Sequence, residues 1–363
     1  MHFEVHRRVH AITHGGPPAL SEPDGRLDTG SRRLNLNESA LPPSPRVRSA
    51  MEAALADVGA YPDHGCRAVT ERLAAATGIR VEHIVCGNGS GELLIASALA
   101  AVGPGDDAVV PSPTFPAIAK GVALAGGNAV LVPIGPDGVV DASALLAAVS
   151  PRTRLVYACT PNNPTGGAMA REALLRLAHE TPRHCLLVVD EAYFEFGRRQ
   201  AAPDVLAVMA EREGAWVVTH TLSKAYALAG LRVGYAFASD ESIASALDKL
   251  RGSFTVNRIG LAGAAAALDD EEHMLAIVEA TTRERERLAR GLAGLGCSVL
   301  PSSTNFVLAR PPSRAADLAA VLARHRILVQ AVAWPDTIGA LRISVGRPSD
   351  TDALLAALGT ALS

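Results

Sequence analysis

The sequence predicts an α/β protein with a mostly parallel main sheet, covered by helices on both faces, and a second, smaller sheet. Seven short segments are apolar throughout and bounded by turn residues, which is typical of strands buried on both faces. Stretches rich in Ala and Leu, which favour helix, alternate with these segments. Near the carboxyl terminus, two segments alternate between apolar and polar residues, which indicates the smaller sheet.

The predicted strands are short, and the intervals between them leave room for helices. Those of the main sheet are His83–Cys86, Asp107–Pro111, Ala129–Val132, Arg154–Ala158, Cys185–Val189, Ala215–Thr219 and Val233–Phe237. Those of the smaller sheet are Thr304–Ala309 and Ala340–Val345. Helical spacing of apolar residues covers Pro45–Ala56, Glu92–Val102, Asp269–Leu295, Ala315–His325 and Thr351–Leu362.

These elements divide the chain into three parts. Residues 1–33 are polar, rich in Gly, Pro and Arg and without periodicity, so we predict a flexible amino-terminal arm. Residues 34–250 are predicted to form a large domain, with 34–44 also contributing to the small domain. Residues 251–363 are predicted to form the small domain.

Composition excludes several classes of protein. The 363 residues suffice for about two domains. A net charge of -3 without a basic block argues against a nucleic-acid partner, and the apolar runs are too short to cross a membrane. The five scattered cysteines contain no CxxC pair, so we expect reduced thiols, a cytoplasmic protein and no metal site.

Lys224 is the most informative residue. It follows Thr221 and Ser223 and precedes Arg232, in an apolar and small-residue setting. Partial desolvation and a nearby cation lower an ammonium pKa, so Lys224 is a candidate amine nucleophile toward a carbonyl. The hydroxyls and Arg232 suit a doubly charged anion. An amine beside an anion site is what pyridoxal phosphate requires, although an isolated Ser-Lys pair is more often a surface turn.

Two loops supply further candidates. Gly87–Glu92 lies between a strand and a helix, where Gly residues and the unpaired amides of a helix N-terminus suit a phosphate. A tight turn is the alternative. Thr160–Gly166 is a Pro- and Asn-rich loop in which Asn163 could donate to a phenolate oxygen, or which is an ordinary turn.

Three more motifs follow strands or lie on them. Asp190 stands at the end of an apolar strand and could pair with a protonated pyridine nitrogen, while Tyr193 could bond the ring's phenolic oxygen; a helix N-cap is the alternative. Phe115 can stack on an aromatic ring or belong to the core. Arg342 suits a substrate carboxylate or phosphate, or is a solvated strand residue.

Together these motifs resemble the fold-type I pyridoxal-phosphate aminotransferases of the class I/II group, and most of all the histidinol-phosphate aminotransferase branch. The resemblance spans about residues 34 to 360. The matching stretches are Leu34–Glu38, Tyr61–Asp63, Gly87–Glu92, Ser112–Phe115, Pro161–Gly166, Asp190–Tyr193, Thr221–Tyr235, Thr304–Leu308 and Leu341–Gly346.

The resemblance implies an aspartate aminotransferase-like fold: a three-layer, mostly parallel large domain that binds the cofactor, and a smaller α+β domain. It implies a homodimer with shared active sites and a ping-pong exchange between an amino donor and a 2-oxo acid. Lys224 would hold pyridoxal 5'-phosphate as a Schiff base and move the proton. The other implied cofactor contacts are Asp190 at the pyridine nitrogen, Asn163 and Tyr193 at the phenolic oxygen, Phe115 on the ring, and Ser90, Gly91, Thr221, Ser223, Arg232 and the partner chain's Tyr61 at the phosphate.

Departures from the branch concern the substrate. The residues expected to contact the substrate are Asn37, Leu41, Gln330 and Arg342. The segment after Asn37 has Leu41 where the branch has a tyrosine associated with the substrate phosphate, and Gln330 stands where an arginine is usual. Ser253 and His220 replace a common proline and arginine. A pocket with isobutyl and neutral amide groups binds a phosphate dianion less well. We therefore expect an amino acid whose carboxylate pairs with Arg342, rather than histidinol phosphate.

Three alternatives stay open at this point. One is true histidinol-phosphate aminotransfer. Another is a decarboxylase or lyase reaction on the same cofactor, because the bond that breaks depends on alignment that a sequence does not show. The third is a non-catalytic nucleotide-binding module built on Gly87–Gly91, which would leave Asp190 and Lys224 unexplained.

Overall fold

A seven-stranded sheet forms the centre of the larger unit in the computed structural model, which describes residues 30–362. Six strands are parallel, and Val233–Ala238 runs antiparallel to both of its neighbours. In spatial order the strands are Ile84–Asn88, Val233–Ala238, Trp216–Thr221, Leu186–Asp190, Thr153–Cys159, Asp107–Ser112 and Asn128–Pro133. The predicted mostly parallel α/β fold is confirmed, and each predicted strand lies within two residues of an observed one.

Helices cover both faces of this sheet. Successive residues of one strand therefore enter different cores: Leu187 and Val189 pack in one cluster, and Leu186 and Val188 pack in another. This explains why the strands are apolar throughout. The helices of this region are Pro45–Ala54, Arg67–Thr77, Ser90–Ala101, Ala117–Ala125, Ala142–Ala147, Arg171–Glu180, Phe194–Arg199, Val205–Met209, Glu241–Leu250 and Arg258–Leu268, with 3-10 turns at Leu55–Asp57, Val81–His83 and Ala229–Leu231.

The smaller unit contains an antiparallel sheet ordered Gln330–Val332, Ala340–Ser344, Phe306–Arg310 and Ser298–Val299. The helices Ala315–Arg324 and Pro348–Leu362 accompany it. Alternate strand residues such as Val307 and Ala309 enter a separate apolar core with Leu354 and Leu358. The predicted second sheet and its helices are thus present.

The start of the described chain corrects the predicted arm. Arg32 and Arg33 form a parallel pair with Ile327 and Leu328, so these two residues belong to the small unit. Their charged side chains gave no apolar signal, because the pairing uses backbone atoms. Residues 1–29 of the predicted arm lie outside the described residues.

The long helix Glu271–Gly294 connects the two units. Met274 and Val278 near its start pack beside Tyr193, whereas Leu288 and Leu292 pack in the small unit's core. The preceding helix Arg258–Leu268 packs on Pro45–Ala54 and Arg67–Thr77 of the large unit. We therefore propose that the domain boundary lies within Glu271–Gly294, later than the predicted residue 250.

None of the helices between residues 30 and 362 combines the length and the apolar character that crossing a membrane requires.

Candidate active site

A cavity of about 320 Å³ lies at the carboxyl ends of the parallel strands of the main sheet. Ligands bind at this edge of open α/β sheets because the connecting loops diverge there. Ten of the predicted site residues line the cavity, although they come from distant parts of the chain. They are Ser90, Gly91, Phe115, Asn163, Asp190, Tyr193, Thr221, Ser223, Lys224 and Arg232.

Lys224 is half-buried in a turn just after the strand Trp216–Thr221. Its Nζ donates to the carbonyl oxygens of Leu36 at 3.3 Å and Asn37 at 3.0 Å. Desolvation, assisted by the positive charges of Arg342 and Arg232, lowers its pKa to about 8. Burial is the main cause of this lowering, which favours the unprotonated amine.

Asp190 ends the strand Leu186–Asp190 and is buried. Its carboxylate accepts hydrogen bonds from Thr219 Oγ1 at 3.1 Å, Tyr157 OH at 3.2 Å and the Ala192 amide at 3.2 Å. Burial raises its pKa to about 6 despite these bonds. A carboxylate in this environment gains stability from a positively charged partner in the cavity.

Tyr157 and Thr219 were not predicted as site residues. Both are buried polar groups in the two strands that flank Leu186–Asp190. Thr219 is the cross-strand partner of Asp190. A polar side chain within a buried strand, which must find a polar partner, is the signal that could have identified them.

The amino end of the helix Ser90–Ala101 forms one wall of the cavity. Gly89 precedes it without a side-chain cap, so the first amides face the cavity rather than a capping group. A Cβ on Gly89 would lie 2.3 Å from Nη2 of Arg232, so only glycine lets that guanidinium approach the helix. The backbone of Gly234, in the antiparallel strand, also lies close to the start of this helix. A Cβ added at Gly234 would lie 2.2 Å from the Ser90 amide nitrogen.

Hydroxyls complete this end of the cavity. Thr221 Oγ1 donates to Ser223 Oγ at 2.9 Å, and both residues line the cavity beside Arg232. Helix amides, two hydroxyls and a guanidinium form a site that suits a phosphate dianion. The donors present therefore fit the phosphate end of pyridoxal phosphate, and the half-buried Lys224 fits its aldehyde end.

Asn37 links the cavity to the small sheet. Its Nδ2 donates to Tyr193 OH at 2.9 Å, and its Oδ1 accepts from Ser344 Oγ at 3.0 Å. Asn37 was predicted to contact substrate; in this structure its side chain orients Tyr193. Asn163 Oδ1 accepts from Arg342 Nη1 at 2.6 Å, which leaves the amide nitrogen of Asn163 as the end that can donate into the cavity.

A second cavity of about 710 Å³ adjoins the first and shares Leu36, Phe115, Asn163 and Lys224 with it. Arg342 and Gln330 line it and are cross-strand partners in the small sheet. Much of the remaining wall is apolar and includes Pro113, Val329, Ala331, Val332 and Ala333. Lys224 lies in the part of the wall that the two cavities share.

Two predicted residues lie outside both cavities of their own chain. Tyr61 is 79% exposed, and its ring stacks on Phe254 with centroids 4.7 Å apart. Leu41 is 38% exposed and follows a turn in which Ser39 Oγ donates to the Leu41 carbonyl. The expected contact of Leu41 with substrate stays a prediction.

Comparison with known proteins agrees with this geometry. Residues 32–358 match the family model described as aminotransferase class I and II. Histidinol-phosphate aminotransferase 2 of Carboxydothermus hydrogenoformans is 37% identical over 324 residues, which cover 88% of each chain. The aromatic amino acid aminotransferase of Mycobacterium tuberculosis is 37% identical over 333 residues, which cover 91% of this chain and 92% of the relative.

Among solved structures, histidinol-phosphate aminotransferase from Sinorhizobium meliloti in complex with pyridoxal-5'-phosphate superposes with a TM-score of 0.88 at 32% identity. The match covers 98% of this chain and 96% of that one. The chain therefore belongs to the aminotransferase class I and II family, with the fold-type I architecture and the pyridoxal 5'-phosphate cofactor of that family.

Proposed function

We propose that this aminotransferase acts on α-amino acids with uncharged, largely apolar side chains and passes the amino group to a 2-oxo acid. The observation that carries the proposal is the composition of the second cavity. Among its described lining residues, Arg342 and Lys224 are the cationic groups, and Gln330 beside Arg342 is neutral. Lys224 is needed for the chemistry, so Arg342 is left to bind a single carboxylate.

Pyridoxal phosphate, when bound, supplies an electron-withdrawing ring that stabilises negative charge at a substrate's α-carbon. We propose that Asp190 holds the ring nitrogen in its protonated form, and that Asn163 and Tyr193 donate to the phenolic oxygen. Phe115 would pack on the ring. The phosphate would be held by Ser90 and Gly91 amides, Thr221, Ser223 and Arg232.

Lys224 has two proposed tasks: holding the cofactor covalently and moving a proton at the substrate's α-carbon. Its lowered pKa of about 8 means that a useful fraction of the amine is unprotonated near neutral pH. Arg342 contributes to that lowering and also faces the substrate cavity. One guanidinium would thus bind the substrate carboxylate and favour the reactive form of the amine.

Aromatic donors fit the apolar cavity well. Phe115, Val329 and Val332 offer wide apolar surfaces, on which a ring buries more area than a small side chain does. The relative from Mycobacterium tuberculosis is named an aromatic amino acid aminotransferase. Aromatic amino acids are therefore the first donors to test.

Histidinol phosphate is the second candidate, favoured by the names of two similar proteins. A phosphate dianion binds best to two cationic or several donor groups. Here the strand partner of Arg342 is the neutral Gln330. The cavity therefore supports a carboxylate ligand better than a phosphate ligand.

A donor screen tests the proposal. Purified holoenzyme is given phenylalanine, tyrosine, leucine, aspartate or histidinol phosphate, with 2-oxoglutarate as acceptor, and kcat/KM is compared. We expect an aromatic or large apolar amino acid to lead. A preference for histidinol phosphate or aspartate would overturn the proposed substrate class. Product analysis without added 2-oxo acid separates aminotransfer, which stops after one turnover, from decarboxylation or elimination, which continues.

We also propose a homodimer in which Tyr61 of one chain serves the phosphate site of the other. Support comes from an exposed apolar surface around Tyr61, where Leu55 is 55%, Val58 57% and Phe254 39% exposed. Such a patch is typical of a subunit interface. Tyr61 does not line the cavity of its own chain.

Subunit complementation tests this arrangement. Lys224→Ala and Tyr61→Ala proteins are assayed alone and after mixing under conditions that exchange subunits. A hybrid dimer would contain one site with both native residues, so mixing should restore up to about a quarter of wild-type activity, a statistical expectation for random pairing. Additive residual activity would contradict a shared site.

A cytoplasmic location is proposed as well. It is supported by the five cysteines, each of which is a buried free thiol.

A further inference from the structure

His220 lies on the reverse face of the sheet, behind the cofactor edge. Thr219 and Thr221 on either side of it face the cavity side, where they contact Asp190 and Ser223. His220 Nε2 is 3.0 Å from Glu191 Oε2, and Nδ1 is 3.3 Å from Tyr235 OH. Phe194 stacks on the imidazole with centroids 4.6 Å apart.

The contacts of His220 join three strands. Glu191 follows the end of Leu186–Asp190, His220 lies in Trp216–Thr221, and Tyr235 is its cross-strand partner in Val233–Ala238. The His220 and Glu191 side chains are only 3% and 4% exposed. A buried pair of this kind is held in one geometry, because breaking it would leave polar atoms without water or partners.

The pair is coupled to the cavity through adjacent residues. Asp190 and Glu191 are consecutive and make side-chain contacts on opposite sides of the sheet: Asp190 with Thr219, and Glu191 with His220. The Glu191 amide also donates to the Thr219 carbonyl at 2.9 Å. A positive charge on His220 favours the ionised form of Asp190 and lowers the pKa of that carboxyl.

Other titratable groups surround the imidazole. Glu195, on the helix Phe194–Arg199, is buried, its Oε2 atom has no hydrogen-bond partner, and burial raises its pKa to about 7. Burial also raises the pKa of Glu191. The negative charge of Asp204 raises this pKa further, and the positive charge of Arg198 lowers it. Burial raises the pKa of Tyr235 and of Tyr226, so both phenols stay neutral. Among these groups, His220 is the basic side chain that contacts Glu191.

We propose that His220 is a positioning residue for the cofactor: paired with Glu191, it fixes the strand that carries Thr219 and Thr221 and, in its protonated form, favours the ionised form of Asp190. Asp190 can then pair with a protonated ring nitrogen, and Thr221 can face the phosphate. The inference depends on the cofactor roles proposed for Asp190 and Thr221 and does not depend on the identity of the amino donor.

The main test is the double variant Glu191→Gln/His220→Gln, which removes both charges without leaving one of them buried alone. The cofactor-free protein is titrated with pyridoxal phosphate to obtain Kd, and the visible absorption of the bound cofactor is followed against pH. We expect Kd to rise by about tenfold, equivalent to one pKa unit. The acid-side change of the absorption should move to higher pH, because His220 is among the groups that lower the pKa of Asp190 and Glu191 is not.

Two comparisons separate charge from packing. His220→Arg keeps a cation beside Glu191 and should bind cofactor within about threefold of wild type, since a threefold change is under one kcal/mol. His179→Gln removes the imidazole from a surface pair with Glu211 (Nε2–Oε2 3.7 Å) and should change neither readout. The thermal midpoint of each cofactor-free protein records any general loss of stability.

A double variant that keeps the wild-type Kd and the wild-type pH response would overturn the proposal, even if its thermal midpoint falls. So would a His220→Arg protein that folds but loses cofactor affinity as far as the double variant does. Should the double variant not fold, His220→Arg alone decides: a wild-type absorption profile supports the role of the charge, and a shifted one contradicts it.

Discussion

Arg342 Nη1 donates to Asn163 Oδ1 across 2.6 Å, and this contact joins the small sheet to a loop of the large unit. Nη2 of the same guanidinium donates to the Asn35 carbonyl, also at 2.6 Å. The guanidinium of Arg342, which lines the second cavity, is therefore held in place by protein atoms. A preorganised cation loses little conformational entropy when a carboxylate binds.

Replacing Arg342 by lysine should impair substrate binding while sparing the cofactor. Lysine keeps the charge but cannot hold both Asn163 and Asn35 while facing a carboxylate, because it lacks the planar fork. The loss of one or two charge-assisted hydrogen bonds predicts a fall in kcat/KM of about 10- to 100-fold. The measurement is steady-state kinetics with the preferred donor, alongside the absorption of the bound cofactor.

The matched control is Arg310→Lys on the neighbouring strand. Arg310 forms a surface pair with Asp336 at 2.8 Å, away from both cavities. Its kinetics should equal those of the wild type. If Arg342→Lys left kcat/KM unchanged, the proposed carboxylate site would be wrong.

Cofactor uptake should depend on the ionisation of Lys224. The amine attacks only in its neutral form, so the rate of uptake by cofactor-free protein should rise with pH and level off above about 8. Stopped-flow absorbance over a range of pH gives the midpoint, and the same reaction with N-acetyl-lysine corrects for ionisation of the cofactor itself. Arg342→Gln should move the midpoint upward, since it removes a nearby cation. A midpoint near 10.5 in the wild type would show that the amine is not activated.

Replacing Asp190 by asparagine should stabilise the cofactor-free protein while weakening cofactor binding. The pKa of Asp190 is about 6 in the folded protein and 3.8 for an ordinary aspartate. The free energy of unfolding therefore falls as pH rises from about 4 to 6, because the buried carboxyl must ionise. The advantage of asparagine should therefore appear between about pH 4 and 6 and stay constant above it. A pKa difference of about two units corresponds to ~3 kcal/mol as an upper figure.

Urea denaturation of the cofactor-free proteins at pH 4 and pH 7 measures this difference. Asp57→Asn, at an exposed carboxylate, serves as the control for the removal of one carboxylate. An Asp190→Asn protein that is less stable than wild type at pH 7 would contradict the predicted cost of the buried charge.

Gly89 and Gly230 form a natural pair for testing the phosphate end. Gly89 has φ +75°, and an added Cβ would collide with Arg232, so Gly89→Ala should displace that guanidinium and weaken cofactor binding by at least about tenfold. Gly230 also lines the cavity, but a Cβ there would meet nothing within 4 Å. Gly230→Ala should bind cofactor as the wild type does. Equal affinities for both variants would argue against a role of Arg232 at the phosphate.

Much of the fold was predictable because strands buried on both faces of a sheet are apolar throughout. The strands Leu186–Asp190 and Trp216–Thr221 read as apolar runs, and their ends mark the edge at which Asp190 and Lys224 meet. Composition did not show that Val233–Ala238 runs antiparallel, because an apolar strand has no sequence signal for direction. The pairing of Arg32 and Arg33 was missed for a related reason, since backbone bonds leave no pattern in side chains.

The site was predictable where one residue acts alone and less so where several act together. Lys224, Asp190 and Arg232 were found from their own motifs. Tyr157 and the bond from Asn37 to Tyr193 were missed, because each depends on a contact between residues far apart in sequence. The sequence marked His220 only as a departure from the family pattern. Its contact with Glu191 depends on the register of two neighbouring strands, which the sequence does not show.

Asn37 gives the enzyme a physical link between its two halves. It has φ 54°, unusual for a residue other than glycine. Its carbonyl accepts from both Lys224 Nζ and Asn305 Nδ2, at 3.0 Å each. An amine engaged in a covalent bond cannot keep all the donors of a free ammonium. The small unit would keep its hydrogen bonds to Asn37 from Asn305 and Ser344, whereas the bond from Lys224 depends on whether that amine is free or covalently bound.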